Sequence, residues 1–180
     1  MCSSDLRFAP IWRAIDRRAL PVLVHPTAPP GTKQLDVARF NLIASVGFMF
    51  DTSLAVSRMI FDGFFDRYPD LKLIAAHGGG ALPYLAGRLD ICFDNMPAAR
   101  EKIAERPSAY LRRIYYDAVV FQPESLALCI NVGGADRVLY GSDYPHNIGD
   151  MKGCLARVDA LPPDQRAAVR GGNARRVFGL

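Results

Sequence analysis

The chain has 180 residues, half of them hydrophobic and 22% charged, a balance that fits a globular domain and excludes disordered and fibrous proteins. Its net charge of +4 is spread over pairs such as Arg17-Arg18 instead of one basic block, so nucleic-acid binding is not expected. Widely spaced cysteines argue against zinc ribbons and redox motifs. The sequence shows neither a secretory signal nor an apolar run near 20 residues, so we expect a cytoplasmic protein without membrane contact.

The apolar pattern predicts a leading helix followed by four strand–helix units. In chain order the predicted segments are a helix over 8–18, a strand ending at residue 25, a loop over 26–38, a helix capped at 51–53 and ended by Pro69, a strand over 71–76, a helix over 81–93, a strand over 114–119, a helix from 123, a strand over 137–140, and short helices near 152 and 164. Strands that alternate with helices form a parallel sheet. Four such units are half of an eight-stranded barrel, which typically takes about 250 residues.

Three of the predicted strands lead into a polar side chain that can bind a metal ion. His25, His77 and Asp143 each follow a short apolar run, and Pro or Gly comes within the next two residues. The carboxyl ends of parallel barrel strands meet at one rim, where the loops carry the chemistry. Imidazole nitrogens and carboxylate oxygens bind ions such as Zn²⁺ and Mn²⁺. The sequence therefore predicts a metal site at this rim.

Simpler interpretations of the same residues exist. His25 also fits a core histidine that bonds to the backbone. Asp143 stands before an aromatic residue and a proline, a position that suits an Asx-turn or a helix cap. His77 begins a His-Gly-Gly-Gly segment, which also forms the oxyanion hole of some lipases and esterases. Those enzymes need a Gly-x-Ser-x-Gly pentapeptide, and the sequence contains none.

Several segments are similar to motifs of a known family, and they are Phe50–Ala55, Arg67–Lys72, His77–Gly80, Gly141–Pro145 and Gly171–Phe178. From about Arg7 onward the chain resembles the amidohydrolase superfamily, in the branch of aminocarboxymuconate-semialdehyde and γ-resorcylate decarboxylases. The family's first strand carries a His-x-His pair, and the three histidines of this chain include no such pair. The resemblance therefore implies the C-terminal half of a TIM-type (β/α)8 barrel, strands 5–8 with their helices.

Residues 7–180 are accordingly predicted to be one partial barrel domain. Met1–Leu6 does not resemble the family, and Cys2–Leu6 is the translation of a common sequencing-adapter tail. We hypothesise that residues 1–6 are a non-native leader joined to a gene cut before its fifth strand. The alternative is a short native leader on a naturally shortened protein.

The resemblance also implies roles for the residues at the rim. His25 and Asp143 are implied to bind a divalent metal, with zinc expected first and manganese second, and no organic cofactor. His77 is implied to be the general acid/base beside the metal, and Asp143 is expected to accept a proton as well. His146 fits either an outer partner of the metal or an exposed loop histidine, and we leave it out of the predicted site.

Arg88 is the predicted substrate-binding residue. In the resembling decarboxylases the matching arginine reaches into the neighbouring subunit and holds a substrate carboxylate, which implies a homodimer. A guanidinium binds a carboxylate through two parallel hydrogen bonds, and part of the chain's basic charge is expected to meet the anionic substrate. An exposed helix arginine is the simpler interpretation.

The predicted function is metal-dependent, cofactor-independent decarboxylation of a small unsaturated or aromatic carboxylic acid. A hydrolase or hydratase that uses the same metal centre is the alternative among enzymes. A catalytically inactive half-barrel is the alternative from another class, because catalytic zinc keeps three protein ligands plus water and only two are assigned in this chain.

Overall fold

The computed structural model describes residues 5–180, so most of the predicted leader, residues 1–6, lies outside the described residues. Each strand of its single sheet pairs in parallel with the next strand along the chain. The strands are β1 (Pro21–Val24), β2 (Lys72–Ala75), β3 (Tyr115–Asp117) and β4 (Val138–Leu139). The predicted α/β class with a parallel sheet is confirmed, and the strands are shorter than the sequence pattern suggested.

Helices connect and follow these strands. They are α1 (Ala9–Arg17), α2 (Phe48–Phe61), α3 (Phe64–Arg67), α4 (Ala76–Gly79), α5 (Leu82–Asn95), α6 (Pro107–Leu111), α7 (Pro123–Gly133), α8 (Met151–Asp159), α9 (Pro163–Ala167) and α10 (Asn173–Phe178). Shorter turns with 3-10 hydrogen bonding occupy Leu6–Phe8, Arg39–Asn41, Pro97–Arg100 and Ala135–Arg137, and π-type turns occupy Ile43–Gly47 and Ala168–Gly172.

The two faces of the sheet bury different sets of residues, because successive side chains along a strand point to opposite sides. One face packs Leu73, Tyr116 and Val138 against the surrounding helices, and all three are fully buried. Their neighbours in that core include Val56, Met59, Ile60, Phe64, Phe65, Leu82, Leu111 and Leu126. The other face holds a smaller cluster, formed by Ile74, Tyr115, Leu139 and Val177.

Helix α2 begins earlier than the sequence predicted. The expected cap at residues 51–53 is wrong, because the helix starts at Phe48 after the π-type turn Ile43–Gly47. Ser53 lies inside the helix, where its hydroxyl donates to Met49 O (2.6 Å) and accepts from Ala81 N (2.8 Å). Tertiary contact with the turn after β2 therefore overrides the local capping signal.

Helical turns and helix α2 together cover Arg39–Phe61, with positive φ at Phe40 and Asn41. This stretch has 23 residues, and its most apolar window has a mean hydropathy of 1.3 and is 22% buried. By length and composition alone it could cross a membrane, although a core helix of a globular protein passes the same test. Asp51 and Arg58 interrupt the apolar run in the sequence, so the length of the helical stretch is not apparent from that run.

The C-terminal motif fastens the last strand to its surroundings. The fully buried Asn173 side chain donates from Nδ2 to Val138 O (2.6 Å) and to Ala135 O (2.7 Å). Arg176 donates in turn to Asp136 O (2.6 Å) and to Asn173 Oδ1 (3.1 Å). This part of the family motif thus has a structural role at β4.

Both outer strands have one open side. Within residues 5–180, β1 pairs only with β2 and β4 only with β3. Leu23 in the middle of β1 is 57% exposed. A closed barrel gives every strand two neighbours, so the described sheet has the strand number and the open edges of a half-barrel.

Gly79 and Gly133 lie against the ring of Tyr116, so a methyl group added at either glycine would collide with the ring. A Cβ at Gly133 would lie 2.6 Å from Tyr116 Cε2, and one at Gly79 would lie 2.7 Å from Cδ1. The ring cannot move aside easily, because its hydroxyl donates to Leu111 O at 2.7 Å. We expect Gly133→Ala to lower the free energy of unfolding by about 1–3 kcal/mol, measured by urea denaturation.

Gly87→Ala is the matched control, since Gly87 lies in helix α5 and an added Cβ there meets nothing within 4 Å. This variant should be as stable as the parent or up to about 1 kcal/mol more stable, because alanine favours a helix. Equal stability of the two variants would show that the Tyr116 ring tolerates the added methyl.

Candidate active site

Three polar residues from different strand ends meet at the carboxyl-terminal rim of the sheet. His25 directly follows β1, His77 lies just after β2, and Asp143 lies in the loop after β4. The ring centroids of His25 and His77 are 5.0 Å apart, and His77 Nε2 lies 3.5 Å from Asp143 Oδ1. The structure thus brings these predicted site residues together, and their catalytic and metal-binding roles stay predictions.

His25 presents one ring nitrogen as a potential ligand. Its Nδ1 lies 3.0 Å from Pro26 O, and because a carbonyl only accepts hydrogen bonds, Nδ1 carries the proton. The lone pair of the neutral ring is then on Nε2. His25 is exposed at the rim, so it is not the core histidine of the simpler interpretation.

A third histidine, left out of the predicted site, joins His25 and Asp143. Ligand atoms of His25, Asp143 and His146 all lie within 4.8 Å of one another. Two nitrogen or oxygen ligands of a tetrahedral zinc ion are about 3.4 Å apart, so these side chains would have to move closer together to bind one ion. Two imidazoles and a carboxylate suit zinc, manganese and related ions. The residues present therefore fit a divalent metal.

The turn that carries His77 has an unusual backbone. His77 has φ +56°, and Gly78, Gly79 and Gly80 follow with φ between +60° and +76°. A side chain at Gly78 would also collide with Val120, since its Cβ would lie 2.6 Å from Cγ1. A non-glycine residue at positive φ needs support from its surroundings.

Asp117, at the end of β3, supplies that support. Its Oδ2 accepts from His77 N at 2.9 Å, and its Oδ1 accepts from Gly78 N at 2.9 Å and Val119 N at 3.0 Å. Burial raises the pKa of the Asp117 carboxyl, and the three backbone hydrogen bonds oppose that rise. Asp117 acts through the backbone of His77 and is therefore a positioning residue.

The rim residues open into a pocket of about 960 Å³. Much of its wall is apolar or aromatic, formed by Phe48, Met49, Pro83, Tyr84, Val119, Val120, Phe121, Leu128 and Ile148. The volume and the aromatic walls suit a small planar organic molecule. His77 is 9% exposed, and its Nε2 is the nitrogen that faces Asp143. Its Nδ1 has no hydrogen-bond partner in the described part of the chain.

The pocket wall formed by residues 5–180 contains no lysine or arginine. The expectation that part of the basic charge meets an anionic substrate stays a prediction. Arg88 lies on helix α5 with an exposed side chain and does not line the pocket. Its predicted role in a neighbouring subunit stays a prediction.

Cys129 is the thiol of the described pocket wall, and its chemistry is suppressed. Its Sγ lies 3.4 Å from Gly78 O, and burial raises the pKa of the thiol to about 12. A nucleophilic cysteine needs a lowered pKa and a cationic neighbour. The pocket is therefore not a thiolate site.

The chain belongs to the amidohydrolase family, since the family profile described as Amidohydrolase matches residues 3–180. The 2-amino-3-carboxymuconate-6-semialdehyde decarboxylase of Dictyostelium discoideum is 29% identical over 98% of this chain and 49% of that protein. A crystal structure of 5-carboxyvanillate decarboxylase from Sphingomonas paucimobilis matches with a TM-score of 0.88 at 30% identity, over 100% of this chain and 55% of that one.

Another solved 5-carboxyvanillate decarboxylase, from Novosphingobium aromaticivorans, contains manganese and 4-hydroxy-3-methoxy-5-nitrobenzoic acid. It matches with a TM-score of 0.87 at 26% identity, over 100% of this chain and 53% of that one. The chain spans about half the length of the curated relatives it matches. The resemblance to the decarboxylase branch of the amidohydrolases and the half-barrel fold are thereby confirmed.

Sequence reasoning missed the contribution of Asp117, and His146, which it left out of the site, lies beside His25 and Asp143. An acidic residue near the carboxyl end of a predicted barrel strand was the available signal for Asp117. Its partners lie in the turn after the neighbouring strand β2, 39 and 40 residues away, and strand order alone does not show that contact.

Removing the Asp117 carboxylate should loosen the His77 turn. We expect Asp117→Ala to lower the free energy of unfolding by at least about 1–3 kcal/mol, because backbone N–H groups lose their acceptor in a largely dry site. Urea denaturation measures the change. Asp70→Ala removes an exposed carboxylate instead and should stay within about 0.5 kcal/mol of the parent; similar losses in both variants would contradict this role of Asp117.

The raised pKa of Asp117 also predicts a pH dependence. A carboxyl whose pKa is higher in the folded state contributes most stability below its ordinary pKa of 3.8, and this contribution is lost as pH rises through the raised value. The stability of the parent relative to Asp117→Asn should therefore decline as the pH rises from about 4 upward. Urea denaturation of both proteins across that range tests this, and a constant or growing difference would contradict it.

Proposed function

We propose that the chain carries one half of the active site of a divalent-metal-dependent decarboxylase whose substrate is a small aromatic or unsaturated carboxylic acid. The observation on which this rests is the pair of His77 Nε2 and Asp143 Oδ1, 3.5 Å apart and each side chain 9% exposed, at the wall of a largely apolar pocket. Relatives over the whole chain are decarboxylases by name. These relatives give no comparable support to a hydrolase or hydratase.

His25 and Asp143 are the residues of the predicted site that would hold the metal. A bound divalent ion would supply Lewis-acid chemistry and a positive charge for the substrate carboxylate. That charge matters, because no cationic side chain of residues 5–180 lines the pocket. We propose manganese rather than the zinc expected from the sequence, since a solved relative contains manganese.

His77 is the residue proposed to move the proton. Decarboxylation breaks the bond between the ring carbon and the carboxyl carbon, carbon dioxide leaves, and the electron pair stays on the ring carbon. That carbon must gain one proton. His77 Nε2 faces the pocket beside Asp143, and the Asp117 hydrogen bonds fix its position. The ring therefore donates the proton from a held position, which is the requirement of general acid catalysis.

We further propose that the substrate carboxylate is met by Arg88 of a second copy of the chain. Arg88 is exposed on α5 and outside the pocket of its own chain. A guanidinium from another subunit would supply the cationic group that the pocket wall lacks.

The test is a decarboxylation assay with 5-carboxyvanillate and related aromatic acids, in the presence of Mn²⁺, followed by NMR in D₂O. The chain is assayed alone and together with a separately produced N-terminal half that carries a His-x-His first strand. Carbon dioxide release with one deuterium on the carbon that lost the carboxylate supports the proposal. No turnover in either arm rejects it, and turnover only in the second arm shows that the added N-terminal half completes the site.

His77→Ala should lower kcat by about 10²- to 10⁴-fold, the usual contribution of a positioned acid or base. Metal content should not change, because His77 lies outside the group formed by His25, Asp143 and His146. Steady-state kinetics and elemental analysis measure the two effects. Asp143→Asn should reduce both activity and metal content. A normal kcat in the His77→Ala variant would show that another group transfers the proton.

A further inference from the structure

The loop after β4 is closed on itself by short hydrogen bonds. His146 N donates to Asp143 O, Gly149 N donates to His146 O, and Asp150 N donates to Ser142 O, each at 2.9 Å. A Cβ at Gly149 would lie 2.7 Å from Asp143 O, so the loop leaves no room for a side chain at this position. This closure holds the His146 ring on the same side as the Asp143 carboxylate.

The His146 ring lies opposite the His25 ring. The two planes differ by 18° and the centroids are 6.1 Å apart, too far for direct contact between stacked rings. Each histidine and Asp143 nevertheless offer ligand atoms within 4.8 Å of one another. An imidazole binds an ion through a nitrogen lone pair in the plane of its ring, so the support for a shared ion is the proximity of these ligand atoms and not the stacking of the rings.

We propose that His146 is a third protein ligand, so that His25, Asp143 and His146 form a divalent transition-metal site contained within this chain. The proposal rests on the metal-dependent function proposed above and adds a ligand to it. Three protein ligands are the number that catalytic zinc sites keep. The chain then binds its ion without the His-x-His pair.

The surroundings of His25 and Asp143 match this role. His25 donates its Nδ1 proton to Pro26 O, and a backbone carbonyl is a common partner for the second ring nitrogen of a metal-binding histidine. Asp143 supplies the negative charge, and no lysine or arginine of residues 5–180 lines the pocket to compete for it. Exposure of both histidines leaves the ion an open path to solvent.

The test uses the untagged chain, stripped of metal with a chelator. Zn²⁺ affinity is measured by competition with a chromophoric chelator, and pulsed EPR of the Cu²⁺-loaded protein counts bound imidazoles. We expect stoichiometric binding with two imidazoles. His146→Ala should lose one imidazole and weaken Zn²⁺ binding more than about 100-fold, beyond the effect of removing an outer partner.

Two controls make the result specific. Asn147→Ala changes the neighbouring residue of the same loop and should keep both imidazoles and the parent affinity. His77→Ala should also keep both imidazoles, because His77 is not in the ligand group. Circular dichroism verifies that the His146→Ala variant is folded.

Either of two results overturns the inference. In one, His146→Ala binds Zn²⁺ as tightly as the parent with the same imidazole count, which leaves His146 outside the site. In the other, the parent chain binds no metal stoichiometrically, which shows that the three residues do not suffice. The decarboxylase proposal survives the second result if turnover appears once the N-terminal half is supplied.

Discussion

The contact between the Asp117 carboxylate and the backbone of His77 and Gly78 is the interaction on which the site depends. It joins the end of β3 to the turn after β2 through two hydrogen bonds of 2.9 Å. The turn has positive φ at four successive residues, and His77, which is not a glycine, needs support from its surroundings in that conformation. The histidine ring therefore takes its place because a neighbouring strand supplies the acceptors, and the pocket beside it follows from that placement.

The parts that could be predicted from sequence are those fixed by local pattern. Apolar runs that end at His25, His77 and Asp143 gave the strands, and the parallel geometry gave their shared rim. Contacts between distant segments were not accessible in this way. Ser53 joins α2 to Ala81, 28 residues away, and the location of His146 depends on a loop closed by its own backbone, so neither followed from spacing along the chain.

The surface of the molecule and the wall of its pocket carry different charged groups. The chain has a net charge of +4, yet its basic side chains form surface pairs such as Arg106–Asp94 and Arg170–Asp159. Such pairs contribute little stability. The pocket wall of residues 5–180 instead offers imidazoles and one carboxylate among apolar groups. An anionic substrate thus needs a cation that is not a side chain of this wall. The proposed metal ion and the proposed Arg88 of a second subunit are the two sources of that positive charge.

The open side of β1 within residues 5–180 is a physical hazard at high protein concentration. Unpaired amide and carbonyl groups along Val22–Val24, beside the exposed Leu23, are a template on which another extended segment adds. Aggregates seeded there would grow by intermolecular β-pairing, and Pro21, which lacks an amide hydrogen, protects only the first position. Co-expression with a polypeptide that caps this strand is the physical remedy, ahead of any change to buffer or salt.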